Sequence, residues 1–283
     1  LYDLRSVTGT VPAIPLISAS IMSTKLAEDL NALVLDVKVG SGAFLPDEGR
    51  ALELARTMVA IGTARGVRTE AWLTAMDRPL GRAIGNGLET VEALECLAGE
   101  GPDDLRALVV HLAASMVQVG GDPESLDALR RRASAALDDG SALRRMERLV
   151  EAQGGDPRVV TEPGRLARAP ETAVVAADRS GIVAQVEPRA LGEAVVAMGG
   201  GRVRLGEAID PRVGFRLLVR PGDRVEAGAA LAEIHAADSR GVDRGARGVR
   251  AAVRITETAE PIVGRPLISH RITAAGVEPV PGE

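Results

Sequence analysis

A carboxylate, an ammonium group and a glycine-rich turn follow one another between Asp36 and Phe44. α/β proteins bind ligands in loops at the carboxyl ends of parallel strands, so this segment is a candidate binding loop. Lys38 could orient the loop through an ion pair with Asp36 or approach a ligand, and Phe44 could form a pocket wall. Glycine-rich loops are common, so the segment alone does not identify a ligand.

Lysine and histidine are both rare in this chain. Of its 34 basic residues only Lys25 and Lys38 are lysines, and both lie early. An arginine-rich chain can retain lysine where a compact ammonium group is needed, but chance would also explain the clustering. The histidines, His111, His235 and His270, lie in unrelated segments and are predicted to be structural. The sequence contains no Cys/His metal spacing and no nucleophile elbow.

The first half of the chain alternates helical and extended patterns. Residues 32–37 and 67–76 are apolar runs that predict buried strands, and residues 18–31 and 46–64 have helical patterns. Strands that alternate with helices are typical of an α/β domain with a parallel sheet and flanking helices. Residues 88–153 are predicted to be almost wholly helical.

The second half of the chain differs in composition and in its predicted secondary structure. Residues 154–170 are rich in Gly, Pro and Arg, and short β-type runs separated by turn residues follow. We therefore expect a first domain over residues 1–153, a linker over 154–171, and a smaller α+β domain over 172–283.

Residues 220–234 resemble the turns of a biotinyl or lipoyl carrier. Such carriers attach their cofactor to a lysine, and no lysine follows Lys38. The carrier interpretation therefore fails on chemistry, and a barrel-like sandwich with a structural role is expected instead.

Composition excludes several classes of function. The chain has only four aromatic residues and a net charge of −5, which argues against binding nucleic acid. Cys96 is its single cysteine, so an intrachain disulfide is impossible and a cytoplasmic setting is expected. No apolar run has the length of a membrane span. The first residue is not Met, and residues 1–10 have a pattern typical of the interior of a domain. We therefore expect the chain to be part of a longer protein.

Several motifs, in order, resemble the thymidine and pyrimidine nucleoside phosphorylase family. Residues 1–26 (LYDLRSVTGTVPAIPLISASIMSTKL) and 32–44 (ALVLDVKVGSGAF) carry the most specific resemblance. It continues through residues 72–92 and through 190–202 (ALGEAVVAMGGGR) and 209–215 (IDPRVGF). The resemblance covers essentially the whole chain and is loosest between residues 99 and 171.

The resemblance implies a pyrimidine-binding role for residues near the start of the chain. Arg5 matches the family's arginine that binds a base carbonyl, where a rigid, always charged guanidinium is suited to stabilising the leaving base. Ser20 matches the serine at the base edge, and its hydroxyl can both donate to a carbonyl and accept from an N–H. Tyr2 is expected near the same pocket.

Two departures from the family pattern affect the same region. The family has a lysine four residues after Ser20, where this chain has Thr24, and an aspartate where it has Ser6. Lys25 would point about 140° away from Ser20 on a regular helix, so it cannot simply take over the role. Losing a charged donor to the leaving base commonly costs about 2.7–4 kcal/mol in the transition state.

The resemblance also implies a monovalent cation site. In some family members two backbone carbonyls and a glutamate hold potassium at positions that match Leu80, Ala83 and Glu92. Oxygen-only ligands with one carboxylate suit such an ion better than zinc or a redox metal. No organic cofactor is expected. The alternative for Glu92 is an acid in the first turns of a helix, where the macrodipole favours it.

The family's activity is the phosphorolysis of pyrimidine nucleosides, with inversion at the anomeric carbon. A pyrimidine nucleoside and phosphate are therefore the expected partners, and the resemblance implies a homodimer for the full-length protein. The basic, glycine-rich phosphate-binding segment of the family has no counterpart in this sequence. The alternative is an impaired or noncatalytic relative that binds pyrimidines, which Thr24 and Ser6 favour.

Overall fold

The computed structural model describes residues 13–202, 204, 206–257 and 264–281. The helices are α1 (Ile14–Leu26), α2 (Glu48–Ala64), α3 (Asn86–Leu97), α4 (Asp103–Gly120), α5 (Leu126–Asp138), α6 (Ser141–Ala152), α7 (Arg158–Thr161), α8 (Pro188–Val195) and α9 (Ser239–Ala252). The strands are β1 (Ala32–Val39), β2 (Arg68–Ala75), β3 (Ala83–Ile84), β4 (Glu171–Ala176), β5 (Gly181–Val186), β6 (Gly214–Leu217), β7 (Arg224–Val225), β8 (Ala230–Ala236), β9 (Val253–Thr256), β10 (Ile268–Thr273) and β11 (Gly276–Pro279). None of the helices within these residues is both long and apolar enough to span a membrane.

The chain folds into two compact units, each built from separate segments. The first comprises residues 1–77, 107–134 and 264–283, and the second comprises residues 78–106 and 135–263. The expected division into residues 1–153, a linker and 172–283 differs from this arrangement. Strand β3, expected in the first domain, pairs with β6 of the second unit. Strand β10, expected in the second domain, pairs with β2 of the first unit. The expected linker contains α7, whose Val160 is buried.

The first unit has a four-stranded sheet in the order β1-β2-β10-β11. Strands β1 and β2 are parallel, as predicted, whereas β10 is antiparallel to β2 and β11 is antiparallel to β10. One core combines apolar side chains of α1, α2 and the sheet, including Met22, Val39, Met58, Leu73 and Ile272. Asp47 caps α2, because its side chain accepts a hydrogen bond from the Arg50 backbone N–H.

The second unit contains two antiparallel sheets, in the orders β3-β6-β8-β4 and β7-β5-β9. Their facing residues share one core with helices α8 and α9, represented by Val183, Leu191, Phe215, Ile234 and Val249. The second unit thus consists of antiparallel sheets packed against helices, as predicted for an α+β domain. The fold class is confirmed for both parts of the chain.

Strand β2 carries a buried polar network on the face opposite the core of the first unit. Glu70 is 2% exposed, and its carboxylate accepts hydrogen bonds from Trp72 Nε1 at 3.0 Å and Arg271 Nη2 at 2.6 Å. The Arg271 guanidinium also lies 5.5 Å from the Trp72 ring centroid. His111 packs edge-to-face against the same ring at 4.1 Å. The network joins β2, β10 and α4.

His111 is neutral in this network. Its burial, together with the nearby charges of Arg130 and Arg271, lowers its pKa to about 4. A guanidinium can only donate, so the contact from Arg130 makes Nδ1 the acceptor and leaves the proton on Nε2. The prediction that His111 is structural agrees with this environment.

Replacing Arg271 with alanine is expected to destabilise the first unit. The change leaves the Glu70 carboxylate buried without its cation, which commonly costs about 3 kcal/mol. Urea unfolding monitored by Trp72 fluorescence would measure the loss. Arg132→Ala is the matched control, because Arg132 pairs with Asp122 and Glu124 at the surface of the same unit, so its loss should lower the free energy of unfolding far less. Equal costs for the two variants would contradict this account of the network.

Candidate functional site

Helix α1 places Ser20 and Thr24 one turn apart on one face. Its buried residues, Ile14, Ile17 and Met22, hold the helix against the core of the first unit. Ser20 is half-buried and Thr24 is exposed. Within the described part of the chain the Ser20 hydroxyl makes no hydrogen bond, so it is available to a ligand. Tyr2, Arg5 and Ser6 lie outside the described residues.

The side chains after Ser20 are engaged locally. Thr24 Oγ1 donates to the carbonyl oxygen of Ile21 at 2.8 Å, a back-bond typical of threonine within helices. Lys25 pairs with Glu28 at 3.6 Å near the end of the helix. This ion pair agrees with the expectation that Lys25 does not substitute for a lysine at position 24.

The candidate loop after β1 is built on a polar triad. Lys38 Nζ lies 2.7 Å from Asp36 Oδ2 and 3.0 Å from Thr74 Oγ1 on the neighbouring parallel strand, and Thr74 also bonds Asp36. Of the two alternatives for Lys38, the structure therefore has the ion pair. Phe44 is 66% exposed, so in the described residues it does not line a closed pocket.

Sequence reasoning missed the residues that hold this loop. Asp77 accepts a hydrogen bond from the Ser41 backbone N–H at 3.1 Å and pairs with Arg265 at 3.2 Å. Gly40 has φ +126°, and a Cβ there would lie 2.5 Å from Asp77 Oδ1, so both the conformation and the contact require glycine. Arg265 also pairs with Glu48 at the start of α2. Arg265 is far from Glu48 and Asp77 in the sequence, so no local sequence pattern predicts these contacts.

Glu92 is the central residue of the predicted cation site, in the second unit. Its side chain is buried, and Oε1 accepts hydrogen bonds from the backbone N–H groups of Arg82 at 2.9 Å and Ala83 at 3.1 Å. Ala83 lies on an edge strand, and in a strand the N–H and C=O of one residue point to the same side. The Ala83 carbonyl oxygen therefore lies on the same side of the strand as the N–H group that donates to Glu92. No hydrogen bond of the described residues assigns a role to the Leu80 carbonyl.

The surroundings of Glu92 suit a small cation. Burial raises its pKa, the Arg82 and Ala83 N–H groups oppose that rise, and the nearby charges of Glu95 and Asp104 add to it. No basic side chain of the described residues forms an ion pair with Glu92. A cavity of about 30 Å³, large enough for a water molecule or a small ion, borders Glu92, Glu95 and Ala83, and the cationic Arg216 also lines it. No cluster of three or more His, Cys, Asp or Glu side chains occurs in the described residues, so multidentate carboxylate or thiolate metal sites are not found there.

Known proteins match both parts of the chain. Residues 1–143 match the glycosyl transferase family a/b domain, and residues 182–256 match the pyrimidine nucleoside phosphorylase C-terminal domain. The pyrimidine-nucleoside phosphorylase of Bacillus subtilis is 42% identical over 236 residues, which is 83% of this chain and 54% of the relative.

Two thymidine phosphorylases are similarly close. That of Burkholderia cenocepacia is 42% identical over 262 residues, which is 92% of this chain and 60% of the relative. That of Mycobacterium tuberculosis is 46% identical over 235 residues, which is 82% of this chain and 52% of the relative. The chain thus spans little more than half the length of the curated relatives it matches.

Replacing Glu92 with glutamine is expected to change how stability depends on pH. The raised pKa of Glu92 means that its contribution to stability is fully present below the pKa of the unfolded chain and is lost as pH rises through the folded value. Glutamine keeps the Oε1 acceptor without the charge. The stability of Glu92→Gln relative to the parent should therefore improve between pH 4 and pH 8 in potassium-free buffer, as measured by chemical denaturation.

Glu92→Ala is the control for the hydrogen bonds. It leaves the Arg82 and Ala83 N–H groups without their acceptor and should cost about 1–3 kcal/mol across this pH range. A Glu92→Gln variant that loses stability relative to the parent as pH rises would contradict the burial argument.

Proposed function

Because this chain belongs to the pyrimidine nucleoside phosphorylase family, we propose that it binds the pyrimidine of a nucleoside for phosphorolysis. In that reaction an oxygen of phosphate attacks the anomeric carbon while the glycosidic C–N bond breaks. The electron pair of that bond goes to the base, which takes up the proton of the hydrogen phosphate, and the products are the free pyrimidine and an α-pentose 1-phosphate. The names of the similar relatives favour thymidine as substrate.

The observation that carries this proposal is the free hydroxyl of Ser20. It lies on α1, in the segment with the most specific family resemblance, and it has no hydrogen-bond partner in the described residues. A hydroxyl can contact both an N–H and a carbonyl at a pyrimidine edge. Arg5 is proposed as the donor that stabilises negative charge on a base oxygen as the bond breaks.

Thr24 supports a second candidate function. Its hydroxyl is bound to the Ile21 carbonyl, so it supplies neither charge nor a free donor beside Ser20. A relative that binds pyrimidines but turns them over slowly or not at all would fit this geometry. The two candidates differ in turnover and share base binding.

Activity and the Thr24→Lys variant test both candidates. Protein expressed from the complete coding sequence should release thymine from thymidine only when phosphate is present, as followed by chromatography. Thr24→Lys restores a cation one turn from Ser20, and a charged donor in this role is commonly worth about 2.7–4 kcal/mol, so kcat should rise by roughly 100-fold.

Ser20→Ala is the matched loss-of-function variant on the same helix face, and it should weaken thymine binding measured by calorimetry. Thymine binding without turnover in both the parent and Thr24→Lys would establish the noncatalytic candidate. Failure to bind thymine would refute both.

We further propose that Glu92 and the carbonyls of Leu80 and Ala83 hold a potassium ion. The ion would offset the buried charge of Glu92 and fix the loop before α3. A ligand that binds only the folded state raises its melting temperature. Potassium chloride should therefore raise the melting temperature above that in choline chloride of equal ionic strength, and Glu92→Gln should abolish the difference. Equal melting temperatures of the parent in the two salts would refute the site.

A cytoplasmic location and a homodimeric assembly complete the proposal. The family resemblance implies the homodimer for the whole protein, and the single cysteine favours a reducing compartment such as the cytoplasm. Light scattering of the complete protein would determine the assembly.

A further inference from the structure

A second pocket, in the second unit, is positively charged and has no part in the proposed reaction. Its volume is about 320 Å³, and Arg168, Arg212, Arg216 and His235 line it. Arg216 on β6 and His235 on β8 project from the same face of the sheet, because Gly214 pairs with His235 in register. Arg168 comes from the segment just before β4. Three separate elements therefore bring two guanidinium groups and an imidazole to one cavity.

Two of these arginines lack protein partners. Neither Arg168 nor Arg216 forms an ion pair or side-chain hydrogen bond with any described residue. Arg212, in contrast, makes a two-point contact with Asp210, at 2.8 and 2.7 Å. Exposed arginines in this protein commonly pair with a neighbouring acid, as Arg158 does with Asp156. Two unpaired guanidinium groups at one cavity leave positive charge that an anion could neutralise.

The acidic groups near the pocket form no ion pair with Arg168 or Arg216 in the described residues. Glu95 forms part of the wall, and Glu233 lies opposite Arg216 in the strand register without forming an ion pair with it. Burial lowers the pKa of His235; Glu233 opposes that effect, and Arg216 and Arg168 add to it. Both guanidinium groups are therefore close enough to act on the imidazole. A neutral imidazole can still donate one hydrogen bond to an anion.

The cavity also has apolar lining residues, beside the carboxylate of Glu95. They are Leu88 and Val91 of α3 and Leu166 of the segment before β4. A simple inorganic ion would contact the arginines and leave these apolar residues uncovered. A ligand with an anionic head and a flat or apolar body would use both, which is the usual combination in small-molecule sites.

We propose that this pocket binds an organic phosphate, with the phosphate between Arg168 and Arg216 and the body of the ligand against Leu88 and Val91. The pocket includes neither Ser20 nor Glu92, although Arg216, Leu88 and Val91 also border the small cavity beside Glu92, and it requires no phosphorolysis. It would give the second unit a ligand of its own.

Calorimetric titration of the chain with adenosine 5′-monophosphate tests the proposal. A purine probe is chosen because the base site proposed on α1 is selective for pyrimidines. Saturable binding is expected for the monophosphate, with markedly weaker binding of adenosine, which lacks the charge, and of inorganic phosphate, which lacks the body. Equal affinity for the monophosphate and either control compound would overturn the proposal, as would no binding of the monophosphate.

Variants assign the binding to the pocket. Arg168→Ala and Arg216→Ala should each weaken binding about tenfold or more, since each removes a charge-assisted contact. Both side chains are exposed, so the fold should be retained, and circular dichroism would check this. Arg247→Ala removes the same charge from an exposed position of α9 and should leave the affinity within about twofold.

Two results would refute the assignment: a loss in Arg247→Ala equal to that in Arg216→Ala, or abolition of binding by Ser20→Ala. The first would indicate only a general charge effect, and the second would place the ligand on α1. Because Ser20→Ala also tests base binding, failure of the proposed phosphorolysis and failure of this pocket are distinguishable.

Discussion

The buried carboxylate of Glu70 is the interaction on which the first unit depends. A charge that is 2% exposed is tolerable only when it is paired and hydrogen-bonded, and Arg271 and Trp72 provide both conditions. Arg271 belongs to β10, so satisfying this carboxylate also docks that strand against β2. The backbone pairing and the charge pairing thus require the same register. The same register sets the position of the loop that follows β2.

The candidate sites depend on this scaffold in different ways. On α1, the apolar residues fix the helix, and Ser20 lies on another face without a side-chain hydrogen bond to any described residue. After β1, Asp36, Lys38 and Thr74 satisfy one another, so this triad stabilises the strand ends and does not offer a free cation. At Glu92, the same carboxylate shapes the loop through two N–H groups and supplies negative charge to a small cavity. One side chain there combines a structural role with the cation-binding role proposed above.

Local patterns predicted the elements well, because their causes are local. The apolar runs at residues 32–37 and 67–76 and the short runs after residue 171 became strands, and residues 88–153 are almost wholly helical, in α3 to α6. The division into units was not predictable in this way. Hydrogen bonds between strands far apart in sequence decide it, as in the pairs β3–β6 and β2–β10.

The roles of several residues in the candidate sites also depend on contacts between segments that are distant in sequence. Family resemblance indicated Ser20, Thr24 and Glu92, but not Asp77 or Arg265, whose roles exist only after distant segments meet. The unpaired state of Arg168 and Arg216 is likewise a property of the folded surroundings. A sequence this rich in arginine gives no reason to single them out. Their partners, or lack of them, follow from the three-dimensional arrangement.

The return of β10 to the first sheet has a consequence for how the protein is made. Ile272 pairs with Ala71 across a separation of 201 residues, so the ribosome synthesises the entire second unit before the strand that completes the first sheet. Until then, the β10-facing edge of β2 and the Glu70 carboxylate lack their partners, and an unpaired edge strand can pair with other chains. The nascent first unit is therefore the part most in need of chaperone protection, whereas the second unit can close its core from residues already synthesised.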